Sequence, residues 1–134
     1  MSDFAKAWSV SSWFLDASTF AHSRRVTWRV WGLADEMTVA ILHDFVEDGG
    51  QVNALEYLRD EVKLSGHIIE AVDAISRRDG ETYFEYIQRV KANPLATRVK
   101  LADIEDNLTG RENPPKPSLR DRYEKAKRIL LEME

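Results

Sequence analysis

The sequence predicts an all-α domain, a compact bundle of about six or seven helices. Three observations carry this. Apolar residues recur at three- and four-residue spacing along most of the chain, the period of a helix with one buried face. Glycine, proline and side-chain caps punctuate those runs. No stretch alternates apolar and polar residues persuasively enough to read as a strand. With 134 residues, 43% of them hydrophobic, the chain suits one domain around one core, without internal repeats.

The elements follow in order. Residues 17–31 carry Phe20, Val26 and Val30 with Arg24, Arg25 and Arg29 between them, and Gly32 ends the run. Residues 35–48 form the next helix, with Asp35 or Thr38 as N-cap and Gly49-Gly50 as the stop. Asn53 caps a third, on which Leu55, Leu58 and Val62 repeat, and Gly66 separates it from a fourth lined by Ile68, Ile69, Val72 and Ile75. Asp79-Gly80 reads as a turn and residues 81–91 as a short aromatic helix. Asn93-Pro94 supplies a cap and a first-turn proline for residues 94–109. A proline-rich loop, Gly110 to Pro117, leads to a last helix from Ser118 to the C-terminus.

Composition narrows the function. A net charge of −4 and a pI near 5.4 give no general attraction to nucleic acid, so a nucleic-acid phosphodiesterase is the least favoured reading. The absence of cysteine excludes disulfides and thiolate metal sites. Met1 to Val10 lacks the basic region and apolar core of a signal peptide, and no run approaches a membrane span. A cytoplasmic protein without a membrane partner is the expectation.

The chemistry concentrates in Ala40 to Gly50, where His43, Asp44, Glu47 and Asp48 end an otherwise apolar run. At about 3.6 residues per turn, His43 and Glu47 share one helix face, as do Asp44 and Asp48. A His-Asp doublet directly after Val39-Ala40-Ile41-Leu42 is costly to bury without a compensating cation. Glu47 and Asp48 oppose the dipole of the helix they end, which hints at use. His22 and Asp103 are further candidates. Taken alone, His22 is more often a surface or hydrogen-bonded histidine than a ligand, and Asp103 reads equally as a solvated charge beside Glu105 and Asp106. Together, two imidazoles and two carboxylates suit a six-coordinate first-row ion such as Mn²⁺, Fe²⁺ or Co²⁺, with two positions left for water and substrate.

These residues resemble the HD-domain metal-dependent phosphohydrolases, and more narrowly the RelA/SpoT hydrolase domain and the small alarmone hydrolases. Leu42-His43-Asp44-Phe45-Val46-Glu47-Asp48 matches that group's L-H-D-x-V-E-D signature, and Val99-Lys100-Leu101-Ala102-Asp103 followed by Asn107 matches its V-K-L-A-D-x-x-x-N signature. The resemblance covers roughly residues 17–130. It implies an HD-type helical bundle in which His22, His43, Asp44 and Asp103 bind one metal ion, usually Mn²⁺. It also implies that Glu47 and Asp48 activate and orient the attacking water. Asn107 would contact the ribose or the 3′ side of a nucleotide, and Tyr123 would line its pocket. His22 departs from the pattern: it precedes His43 by 21 residues and lacks the family's following proline. The family's basic loop, H-x-G-Q-x-R-K, is also missing ahead of it, where this chain reads Ser11-Ser12-Trp13-Phe14-Leu15-Asp16.

A phosphorylated substrate needs basic partners, and Arg24, Arg25, Arg77, Arg78 and Lys100 are the candidates. The expected activity is hydrolysis of a phosphorylated nucleotide, with (p)ppGpp and its 3′ pyrophosphate first. The alternatives are another nucleotide mono- or triphosphate and a non-catalytic nucleotide-binding domain. Trp8, Trp13, Trp28 and Trp31 read as core or as material for a homodimer interface.

Overall fold

The computed structural model describes residues 1–132, and every regular element among them is helical. The helices are α1 (Asp3–Phe14), α2 (Ala17–Arg29), α3 (Ala34–Leu42), α4 (Phe45–Asp48), α5 (Ala54–Asp60), α6 (Gly66–Ile75), α7 (Tyr83–Lys91), α8 (Pro94–Glu105) and α9 (Pro117–Leu131). A π-helical turn, Asp106–Gly110, continues α8. The expected end of the last helix at the C-terminus falls on Met133 and Glu134, outside the described residues. No described helix is long and apolar enough to cross a membrane.

Helix α3 is the axis of the bundle, packed against α1, α2, α6 and α8. Val39, Ala40, Ile41 and Leu42 have no exposed surface, which explains why this segment is apolar on every side rather than striped. Burying residues such as Ile41 and Leu42 stabilises the fold by about 1.5–3 kcal/mol each, and it fixes the depth at which the following histidine and aspartate emerge. Val26, Ile68, Ile75, Ile87, Val99 and Ile104 complete the core from α2, α6, α7 and α8.

Several elements differ from the sequence expectation. Residues 3–14 form a helix that the sequence pattern did not reveal, because its buried face is made of Ala7, Val10 and Ser11 while Trp8 and Trp13 point outward. The helix expected over 35–48 begins at Ala34, without a cap from Asp35 or Thr38, and breaks at His43-Asp44 into α3 and α4. The break is held by bonds that replace the helical ones: Ser11 Oγ donates to the Ile41 carbonyl at 2.6 Å, and His43 Nδ1 lies 2.7 Å from the Ala40 carbonyl. Both carbonyls are among those that a helix end must hand to other donors.

Asn53 stands at the start of α5 in the left-handed region, with φ of 55°, and its side chain makes no cap bond. The helix expected over 94–109 widens into the π-turn at Asp106. The tryptophans are not core: Trp13, Trp28 and Trp31 are 82%, 65% and 57% exposed. Trp28 and Trp31 stack on each other, with ring centroids 4.6 Å apart.

Candidate metal centre

Four elements converge on one point. Helix α2 brings His22, the α3–α4 break brings His43 and Asp44, and α8 brings Asp103. His22 Nε2 lies 2.7 Å from Asp103 Oδ1, and His43 Nε2 lies 3.2 Å from both His22 Nε2 and Asp103 Oδ1. Asp44 Oδ2 is 3.3 Å from His43 Nε2 and 3.9 Å from His22 Nε2. Both histidines and Asp103 are buried, while Asp44 keeps a partly exposed edge.

The other face of each imidazole is already engaged. His22 Nδ1 lies 2.5 Å from Asp106 Oδ2, and His43 Nδ1 is held by Ala40. With the proton on Nδ1 in each ring, both Nε2 lone pairs turn toward each other and toward a carboxylate, an arrangement that a cation between them resolves. For metal–ligand bonds of about 2.1 Å, neighbouring ligand atoms of an octahedron stand about 3 Å apart. Most of the spacings above are near that value. The His22, His43 and Asp103 cluster can therefore hold a divalent ion, and Asp44 stands within reach as a fourth ligand. The donors are two nitrogens and two oxygens with no sulfur, which leaves the identity of the ion open among first-row metals.

The electrostatics show the same demand for positive charge. Burial opposes a charged imidazole at His43, yet Asp44 and Asp103 together push its pKa up to about 9. Burial likewise opposes ionisation of Asp103, but Lys100 and His43 hold it well below the usual carboxylate range. Lys100 is itself buried, with Nζ 2.8 Å from Asp103 Oδ2, and that carboxylate keeps it charged against the cost of dehydration. Partial dehydration, with Asp44 nearby, raises both Glu47 and Asp48.

The centre opens into a cavity of about 310 Å³, also lined by Glu47, Asp48, Lys100, Asn107 and Tyr123. Asn107 Nδ2 approaches Asp103 Oδ1 at 3.4 Å, and its Oδ1 accepts from Arg111 Nε at 2.9 Å. Two expected anion contacts lie elsewhere. Arg24 is exposed with its guanidinium 5.2 Å from the centre of the Phe20 ring, and Arg25 is bound to Asp106 at 3.1 Å; neither lines the cavity. Arg24 faces solvent over Phe20, and Arg25, although on the His22 side of α2, is held behind that ring by the Asp106 carboxylate. Arg77 does line the cavity, whereas Arg78 pairs with Asp73 at 3.1 Å.

Several residues of the site were not singled out in the sequence. Asp106 has no exposed surface; it fastens His22 and is itself held by Arg25, with Arg29 3.8 Å away. Gly110 makes this possible, because a Cβ there would collide with the Asp106 carboxylate. In the sequence Asp106 is one acid among three in 103–106, and only the π-turn distinguishes it. Tyr83, Tyr86, Arg111 and Arg122 also line the cavity. The aromatic pair Tyr83 and Tyr86 was visible as a pattern, without a signal for its direction.

No protein-family model matches the chain, and no curated protein matches it. What the structure itself shows is an all-helical domain with a His22, His43 and Asp103 cluster that could chelate a metal ion.

Proposed function

We propose that this chain is an HD-type, divalent-metal-dependent phosphohydrolase acting on a phosphorylated nucleotide, with a (p)ppGpp-like 3′ pyrophosphate ester as the first substrate to test. One observation carries the reading: a cavity that opens from a metal-capable cluster is also lined by arginines whose charge no carboxylate among the described residues neutralises. Arg77, Arg111 and Arg122 line it, and none has a carboxylate partner among the described residues. Arg25, Arg78, Arg89 and Arg98 are, by contrast, all paired to acids. Guanidinium groups without a carboxylate partner beside a metal site suit phosphate oxygens, which they bind in a planar, two-pronged geometry.

His22, His43, Asp44 and Asp103 would hold the ion, Mn²⁺ by the family resemblance, which when bound supplies Lewis acidity toward a phosphoryl oxygen and toward water. Glu47 is suited to take the proton of the attacking water, because its raised pKa makes it a stronger base than an ordinary carboxylate. Asp48, next to it on the same turn, orients that water. Lys100 neutralises Asp103 and keeps the ligand carboxylate in place. Asn107 and Tyr123 supply polar and aromatic wall for the sugar and base.

The absent basic loop favours keeping a second nucleotide class in play. The link between α1 and α2 is only Leu15-Asp16, and Asp16 is spent capping α2 through a 2.8 Å bond to the Thr19 amide. That two-residue link carries no basic residue to meet a guanine, so a nucleoside mono- or triphosphate is the alternative substrate. The test is incubation of Mn²⁺-loaded protein with ppGpp and a nucleotide panel, with products identified by chromatography and Asp44→Ala as control. Release of GDP and pyrophosphate supports the first substrate, and turnover of another nucleotide replaces it. No turnover of any of them, with metal bound, counts against the hydrolase reading.

A further inference from the structure

Tyr83 and Tyr86 stand side by side on α7, with ring centroids 5.9 Å apart, yet their hydroxyls have different fates. Tyr86 donates to the Ile75 carbonyl at 2.5 Å. Tyr83, only 8% exposed and lining the cavity, has a buried hydroxyl with no hydrogen-bond partner among the described residues. Directly over its ring lies the Arg122 guanidinium, 3.8 Å from the centroid, and Arg122 Nε is buried and unpartnered as well. Two unpartnered buried donors on side chains that touch at the wall of one cavity are costly to the folded chain. Packing does not require them, since phenylalanine would fill the Tyr83 ring site equally well.

We propose that Tyr83 and Arg122 form a phosphate-binding pair, with Arg122 as its cover. Among the described residues no carboxylate ties Arg122 to the wall. A phosphate entering the cavity draws the guanidinium off the ring face, is gripped by it, and accepts a hydrogen bond from the hydroxyl thus uncovered. Lys100 Nζ lies 6.0 Å from the Tyr83 ring centre and 2.8 Å from Asp103, so the pair stands within one side chain of the metal centre. It is well placed for a phosphate of the substrate itself. Only that last link, from bound phosphate to substrate, rests on the hydrolase reading.

The test uses the full chain, stripped of metal on a chelating resin and titrated calorimetrically with inorganic pyrophosphate, so that no ion contributes. A hydrogen bond to a charged group implies that Tyr83→Phe weakens binding about tenfold or more, while its melting temperature is unchanged or raised because an unpaired hydroxyl has gone. Arg122→Gln should weaken binding at least as much, and Arg128→Gln, on the exposed side of α9, should not. Unchanged affinity in Tyr83→Phe overturns the pair, and so does a lower melting temperature with unchanged affinity. Failure of the wild type to bind, or displacement of pyrophosphate by equimolar acetate, also overturns it. The two proposals separate cleanly: nucleotide turnover without Tyr83-dependent binding retains the hydrolase and rejects the pair, and the converse retains the pair alone.

Discussion

Replacing Asp106 by asparagine removes one charge behind His22 and none of the atoms that would face an ion. In the folded chain the Asp106 carboxylate is fully buried, 2.5 Å from His22 Nδ1 and 3.1 Å from Arg25 Nε. It fixes the His22 ring and, as an anion, makes Nε2 a stronger donor. Loss of such a partner lowers metal affinity by about 10- to 100-fold, equivalent to about 1.5–3 kcal/mol. The cost to folding should be smaller than for an ordinary broken buried pair. Arg25 and Arg29 have side chains 39% and 35% exposed and regain water, so about 1–2 kcal/mol, or a few degrees of melting temperature, is expected. The assay is calorimetric titration of Mn²⁺ into resin-stripped wild type and Asp106→Asn, with thermal melts alongside. Asp48→Asn, which removes a cavity charge but no contact to the cluster, serves as comparison and should bind with less than a threefold change. Equal affinity of Asp106→Asn and wild type would refute the reasoning, because the His22–Asp106 contact would then be packing alone.

Gly110→Ala should reproduce much of that loss from a position remote from the ion, since its Cβ would displace the Asp106 carboxylate; wild-type Mn²⁺ affinity in this variant would contradict it. Glu47→Gln should bind Mn²⁺ normally and lose about 10²- to 10⁴-fold in turnover, and full activity would remove Glu47 from the mechanism. The metal-free protein should lose stability with rising pH. His43 is raised from 6.5 to about 9, so its charged form stabilises fully below about pH 6.5, and that contribution disappears as pH rises through about 9. Melts in chelator should fall across this window, and the gain on adding Mn²⁺ should be largest at its alkaline end; a flat metal-free profile would count against the cluster as drawn. Ser11→Ala should cost about 1–2 kcal/mol in denaturant melts by orphaning the Ile41 carbonyl, and no loss of stability would mean the α3–α4 break is held by other contacts.

Much of the architecture could be read from local signals. The glycine and proline stops and the Asn93 cap mark most helices, and the doublet after Val39-Ala40-Ile41-Leu42 stands out because a core helix does not otherwise end in buried charge. What escaped the sequence depends on long-range contacts. The break at His43 needs Ser11, thirty residues away, to take the Ile41 carbonyl. The buried face of α1 consists of small residues, so its period is faint beside two conspicuous but exposed tryptophans. Arg24 and Arg25 lie close to His22 in sequence, yet Arg24 faces solvent and Arg25 is taken by Asp106. The cavity's arginines without a carboxylate partner among the described residues are Arg77, Arg111 and Arg122, remote from His22 in sequence. Asp106 depends on a π-turn that no residue pattern announced.

The most direct test of the metal centre is an electron paramagnetic resonance titration of Mn²⁺ into resin-stripped protein, wild type against His43→Ala and Asp103→Asn. The geometry predicts that the signal of the free aqueous ion disappears until one equivalent per chain is bound, and that both variants leave it in solution. Uptake that ignores these substitutions, or no uptake by the wild type, would contradict the account at its base.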